Sequence, residues 1–360
     1  MQEGRDRARP QGARRPRGAR PGRVHEGRGA GEGRAGSLSE RLGEAVGRFA
    51  DDFESLGSPL YARLALELAG DPVLDELDVP GGPSWDFPLR LFGAVHYLVL
   101  SGRAPDAWSS LPGTIRTHRE WLARFVAEQP VQTNEVQRCF GLLPAFLTVA
   151  DGRPLDLVEL GPSGGLNLLW DRYAYRYGDG RWGPADASLE LTGEAIGGPP
   201  AKLLETAVTV RGRLGIDRHP VAVTTEEGAL LLQAFVWADQ EERLGRLRRA
   251  IDLARRDPPE LVRGDYVEEL PRVLARRDLS ALTVVFHSVS VAYLGPDERE
   301  RVAAAIEAEG RRGSLAHVSY EFVEERGYER FGLDVTAYPD GEARRLARLD
   351  GHANRLRWLA

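Results

Sequence analysis

A chain of 360 residues, 42% of them apolar, can bury a large core and has room for two packed units. Its single cysteine, Cys139, excludes a disulfide framework and a cysteine-built zinc site, and suits a reducing cytoplasm. No apolar run reaches the roughly 18 residues of a spanning helix, and the amino terminus has no apolar signal core, so a membrane partner is not expected.

Residues 1–36 are rich in Arg, Gly and Pro and nearly free of large apolar side chains, so disorder is expected there. Ten arginines against four acids give this stretch +6 and leave −12 for the remainder of a chain whose net charge is −6. The basic arm has no interleaved aromatics, which argues against a nucleic-acid partner. Met1 is the only methionine, which leaves a start nearer Ser37 open.

Order is expected from the capping-box pattern Ser37-Leu-Ser-Glu40, followed by Leu38, Leu42, Ala45, Val46, Phe49 and Phe53 at helical spacing. Further helices are predicted at about 58–69, 86–101, 114–128 and 134–149, separated by turn clusters such as Pro80-Gly-Gly-Pro83. Residues 37–150 thus read as a helical domain without a convincing strand.

The central stretch is Leu155 to Trp170. It reads as a short buried strand to Leu160, a glycine turn over Gly161–Gly165, and a helix opening at Leu166 and running to Tyr175. Glycine accepts positive φ and lets a ligand approach the backbone, while a helix start offers unpaired N–H groups. The phosphate-cradling motif is absent, because the only lysine is Lys202, and the dinucleotide fingerprint fails at Ser163 and Leu166. Two readings remain. One is Glu159-x-Gly161-x-x-x-Gly165, the first motif of S-adenosylmethionine-dependent methyltransferases; the other is Gly161-x-Ser163-x-Gly165, the nucleophile elbow of serine hydrolases. The helices upstream favour the first, since a hydrolase elbow follows several earlier strands.

Downstream, an aromatic insertion near 175–208 precedes a strand into Gly215-Ile-Asp217. A long helical stretch carries Leu244, Leu247, Ile251 and Ala254, and then come Leu261 to Asp265 and Leu282 to Ser288. A helix near 296–309 and strands around 314–321 and 332–337 complete the series. Apolar strands alternating with helices indicate a largely parallel sheet covered on both faces. The expected fold is therefore α/β, a Rossmann-like methyltransferase sheet over 151–360 behind the helical domain.

In such a site Asp217 accepts from ribose hydroxyls, Asp265 from an adenine amino group, and Glu159 faces the cationic methionine end of S-adenosylmethionine. Gly161, Ser163, Gly165 and Asn167 line the turn. His287, at a strand end, is the candidate base, and it also borders the cofactor. Asn134, Glu135, Ser288 and Tyr293 are candidates for a small-molecule substrate. The seven histidines show no H-E-x-x-H or similar spacing, so no metal is expected. A non-catalytic adenosyl-cofactor sensor on the same sheet is a further alternative.

Residues 37–360 resemble the uncharacterised bacterial family known as domain of unknown function 2332. The matching blocks are Val131–Val136 with Arg138-Cys139, Glu159–Tyr173, Gly215-Ile-Asp217-x-x-Pro220, Trp237-x-Asp-Gln240, Gly264-Asp265, and Phe286-His-Ser288 to Tyr293-Leu294. That resemblance implies a methyltransferase-like sheet and leaves the substrate open.

Overall fold

Helices come first. The computed structural model describes residues 38–77, 84–323 and 329–360; the basic stretch 1–36, the Ser37 cap and the Pro80–Pro83 turn lie outside the described residues. Helices α1 (Leu38–Ser55), α2 (Pro59–Ala69), α3 (Phe87–Leu100) and α4 (Leu111–Glu128) pack around a core of their own. Ser58 starts α2 by accepting from the Tyr61 N–H, with Pro59 at the first helical position. Phe53 centres this core, edge-on to Tyr61, Phe92 and Trp237 with ring centroids 5.6, 5.5 and 5.1 Å away. Helix α5 (Arg138–Val149) belongs elsewhere. It is buried continuously from Cys139 to Leu147 and joins the core on one face of the sheet, as an all-round apolar helix must.

The strands follow as β1 (Leu155–Leu160), β2 (Ala174–Tyr177), β3 (Gly180–Trp182), β4 (Glu190–Thr192), β5 (Glu194–Ile196) and β6 (Val210–Asp217). Helices α6 (Glu226–Ala234) and α7 (Glu241–Arg256) lead to β7 (Glu260–Arg263), α8 (Tyr266–Ala275), β8 (Leu282–Ser288) and α9 (Pro296–Gly310). The chain ends in β9 (Leu315–Phe322), β10 (Phe331–Ala337), β11 (Glu342–Leu349) and β12 (Arg355–Trp358). Nine of them form one sheet in the order β5-β12-β11-β10-β9-β8-β1-β6-β7. It is parallel from β7 to β9, antiparallel from β9 to β12, and parallel again at β5. The protein is a mixed α/β protein with a large, mostly parallel sheet. Among the described residues no helix is long and apolar enough to cross a membrane.

The alternation of side chains along a strand assigns the two faces. Leu155 and Leu157 of β1, with Leu282, Val284 and Phe286 of β8, join the core that holds α5. Val158, Leu160 and Val285 join the core under α8 and α9. Strand β1 lies between β6 and β8, so the sheet order reverses there.

Three expectations change. The helix expected over Leu166–Tyr175 is a 3-10 helix, Leu166–Arg172, because Ala174 is already pairing in the three-stranded sheet β3-β2-β4. The long helical stretch breaks at Phe235–Gln240, where Phe235 leaves α6 to enter the helical core. Strands β11 and β12 carry no apolar run, and the four exposed positions Glu342–Arg345 hid the first of them.

Candidate functional site

The parallel strands β7, β6, β1 and β8 end side by side, and their carboxyl ends carry the polar residues singled out above. Backbone geometry there is unusual. Gly161 and Gly165 have φ of 71° and 75°, and so, at 54°, does the non-glycine Ser163. Across from this turn, Val289 just beyond β8 holds φ 57°, a costly conformation for a β-branched side chain. Two strained loops therefore face the switch between β1 and β8.

Glu159 is 2% exposed. One oxygen accepts from Asn167 Nδ2 at 3.4 Å, and the other, Oε2, has no hydrogen-bond partner among the described residues. Burial pushes its carboxyl up to about 8, opposed by the Asn167 bond and helped by the charge of Asp217. Asp217 lies on the same face, since Glu159 is paired with Gly215 and side chains repeat every second residue. Its carboxylate accepts from the N–H groups of Ser163 at 2.9 Å and His219 at 2.8 Å. Asp265 caps α8 through the Val267 N–H at 2.9 Å and pairs with Arg218 at 2.6 Å. Desolvation works against its charge, but those two partners bring its carboxyl below the usual range.

The connector between α4 and α5, residues 129–137, lies over this face and was only partly visible from the sequence. Gln132, Asn134, Glu135 and Gln137 are all buried. The Ser163 hydroxyl donates to Gln132 Oε1 at 2.5 Å, and the Leu166 N–H donates to Asn134 Oδ1 at 3.1 Å. Glu135 pairs with Arg243 at 2.7 Å. Desolvation opposes its charge, yet Arg243, His352, Arg246 and Arg138 outweigh it and hold the carboxyl at about 2. Arg138 also reaches the Ser288 carbonyl at 3.2 Å, tying α5 to the end of β8.

His287 belongs to the other face. It follows Phe286, the partner of Glu159, so the pleat turns its ring toward the core under α8 and α9. There its Nδ1 lies 2.8 Å from Glu321 and its Nε2 3.0 Å from His317. Burial and the neighbouring His287 push His317 down to about 3. Glu321 Oε1 also accepts from the Ser290 and Val291 N–H groups, both at 3.0 Å, which fixes the strained loop. His287 was expected beside the cofactor residues; the structure separates them by the thickness of the sheet. Ser288 returns to the Glu159 face, while Tyr293 is 67% exposed and stacks on Trp85 at 6.0 Å.

Do these residues fit an adenosyl cofactor? Three acceptors of the expected kind stand at adjacent strand ends: Glu159 keeps an orphaned buried oxygen, while Asp217 beside it and Asp265 at the next strand end already have partners. The turn was expected to be bare, and it is not. A Cβ at Gly161 would meet Ser290 Cβ at 2.7 Å, one at Gly164 Leu232 Cδ1 at 2.6 Å, and one at Gly165 Pro259 Cγ at 2.7 Å. Asn134 caps the Leu166 N–H that a ligand was expected to meet. The chain's own side chains close the turn.

Gln132, Arg138, His317 and Glu321 were missed. The only signal for the first two was their place in the Val131–Cys139 block; the last two are brought to His287 by β8–β9 pairing, which no local spacing encodes.

The sequence model of a bacterial family, described as "Uncharacterized protein conserved in bacteria (DUF2332)", matches residues 43–358. No curated protein matches the chain.

Proposed function

We propose a function for this chain, which belongs to the bacterial family DUF2332 of uncharacterised proteins: an enzyme that transfers a methyl group from S-adenosylmethionine to a small molecule. The order β7-β6-β1-β8-β9 reads 3-2-1-4-5 when only the parallel strands are counted, a doubly wound order that binds ligands at its switch point. The observation that carries the reading is the orphaned oxygen of buried Glu159 at that point, on the face it shares with Asp217. A carboxyl left without a partner inside a protein is costly unless a ligand supplies one.

In this reading the cofactor supplies an activated methyl group. Glu159 provides negative charge toward a cation, and Asp217 and Asp265 provide acceptors for hydroxyl and amino groups. Entry requires the connector 129–137 and the turn 161–165 to part, freeing Asp217 from the Ser163 N–H. In-line positioning of the acceptor then does most of the work. Calorimetric titration with S-adenosylmethionine and its demethylated product, with NADH as control, tests the proposal. Micromolar-range binding weakened by Asp217→Ala supports it; no binding of either ligand overturns it.

One observation favours a non-catalytic adenosyl-binding protein as the second reading. Both ring nitrogens of His287 are engaged, so that ring is not offered to an acceptor. Binding without movement of labelled methyl to any acceptor in cell extract would select it. The hydrolase reading has less support, because the Ser163 hydroxyl is bound to the amide oxygen of Gln132, which is no general base.

A further inference from the structure

The sequence block Trp237–Gln240 takes no part in the strand-end site. It lies instead at a cavity of about 100 Å³ between the helical core and the β11–β12 turn. Tyr61, Phe235 and Trp237 form apolar walls, and Arg243, His352 and Thr133 supply the polar ones. Gln240 helps hold the Arg243 guanidinium through its Oε1, and Glu135 takes the Nε side at 2.7 Å. A guanidinium has five N–H groups, so this arrangement leaves Arg243 donors beyond those spent on its two partners.

Arg243 and Arg138 both act on the buried carboxylate of Glu135, as does Arg246, which also pairs with Glu242 at 2.6 Å. Burial, then Arg243, pushes His352 down to about 4, so its ring is neutral at pH 7 and can share a hydrogen bond without adding a charge. The turn that carries His352 is held in place: Ala353 has φ 57°, and its carbonyl accepts from the Gln137 side chain at 3.3 Å. A pocket with aromatic walls, spare guanidinium donors and a neutral imidazole suits a small anion with an apolar tail.

We propose that this cavity is a second small-molecule site, which binds a short-chain carboxylate against Arg243 and His352 with its alkyl end on Tyr61, Phe235 and Trp237. Size limits the ligand. A 150 Å³ apolar cavity is known to take benzene, so this one holds about four or five non-hydrogen atoms, the size of propionate. The site does not rest on the adenosyl reading, since it shares no ligand-facing residue with Glu159, Asp217 or Asp265, and the two meet only at the connector that carries Val131 and Thr133.

Propionate is the probe, titrated into the full chain by calorimetry at constant ionic strength, with the melting temperature read in parallel. Ethylammonium is the control of opposite charge. Saturable binding of propionate, a rise in melting temperature and no response to ethylammonium are expected. His352→Leu should weaken binding roughly tenfold, the equivalent of one hydrogen bond. Arg243→Met removes the nearest partner of Glu135 and can unfold the chain, so the decisive variant is Thr133→Phe, a bulky replacement at an exposed position on the cavity wall. It should abolish binding while the protein melts as before. Failure of propionate to bind, equal binding of ethylammonium, or unchanged binding in Thr133→Phe overturns the proposal.

Discussion

Glu159 and His287 stand on adjacent paired strands, one position apart in register, and point to opposite faces of the sheet. Each is buried, and each anchors a separate polar cluster: Glu159 with Asn167 and Asp217 under the connector, His287 with His317 and Glu321 under α8 and α9. An acid and an imidazole both expected at one cofactor are thereby insulated from one another. The consequences are testable on each face separately.

Glu159 should make the protein less stable as pH rises. Its folded carboxyl titrates near 8 against 4.5 for the ordinary group, so the folded state holds a proton that the unfolded state has released. Stability is then highest below the unfolded value and declines up to the folded one, at up to about 1.4 kcal/mol per pH unit. Thermal melts of Glu159→Gln should lose that slope and lie above wild type at pH 8. Parallel pH profiles for the two proteins would contradict the assignment.

The same residue links cofactor charge to pH. A cation placed beside Glu159 favours the ionised carboxylate, so the affinity for S-adenosylmethionine should rise as pH goes from neutral to above 8. The demethylated product is uncharged at sulfur and should lack that rise. Calorimetry in buffers of different ionisation heat would register the released proton in the first titration alone, and Glu159→Gln should remove it.

Glu135 acts in the opposite sense. Its carboxyl is depressed to about 2, so the stability it adds is complete above about 4.5 and is lost as pH falls toward 2. Arg243→Met removes the nearest cationic partner of a buried charge and should cost about 3–5 kcal/mol in denaturant melts at pH 7. Glu135→Gln added to Arg243→Met should restore part of the loss, since no charge then remains without a partner. A strictly additive double variant would argue against a coupled pair.

The closed turn predicts intolerance of any side chain at Gly164. Its new Cβ would lie 2.6 Å from Leu232 and 2.8 Å from Val223, so Gly164→Ala should cost about 1–3 kcal/mol through overpacking. Gly70→Ala is the control for the substitution alone, because its φ is ordinary and nothing lies within 4 Å of the added Cβ. Equal melting temperatures for Gly164→Ala and wild type would mean the turn is open in solution.

His287→Asn should leave adenosyl-ligand affinity within about twofold, because one sheet face lies between that ring and Glu159. Loss of binding comparable to Asp217→Ala would place the ring at the cofactor after all.

Much of the architecture was legible in the chain itself. Helical periodicity marked α1 to α4, apolar runs marked β1, β8 and β9, and the turn at Gly161–Gly165 was bounded correctly, because each of these depends on neighbours within one turn or one strand. The polar segment Gln132–Gln137 was visible as residues, but its role was not: that it caps Leu166 and holds Ser163 depends on how α5 packs against the sheet. The pairing of His287 with Glu321, and its separation from Glu159, follows from strand register. Register is set by residues far apart in the chain, and a shift of one position would exchange the two faces.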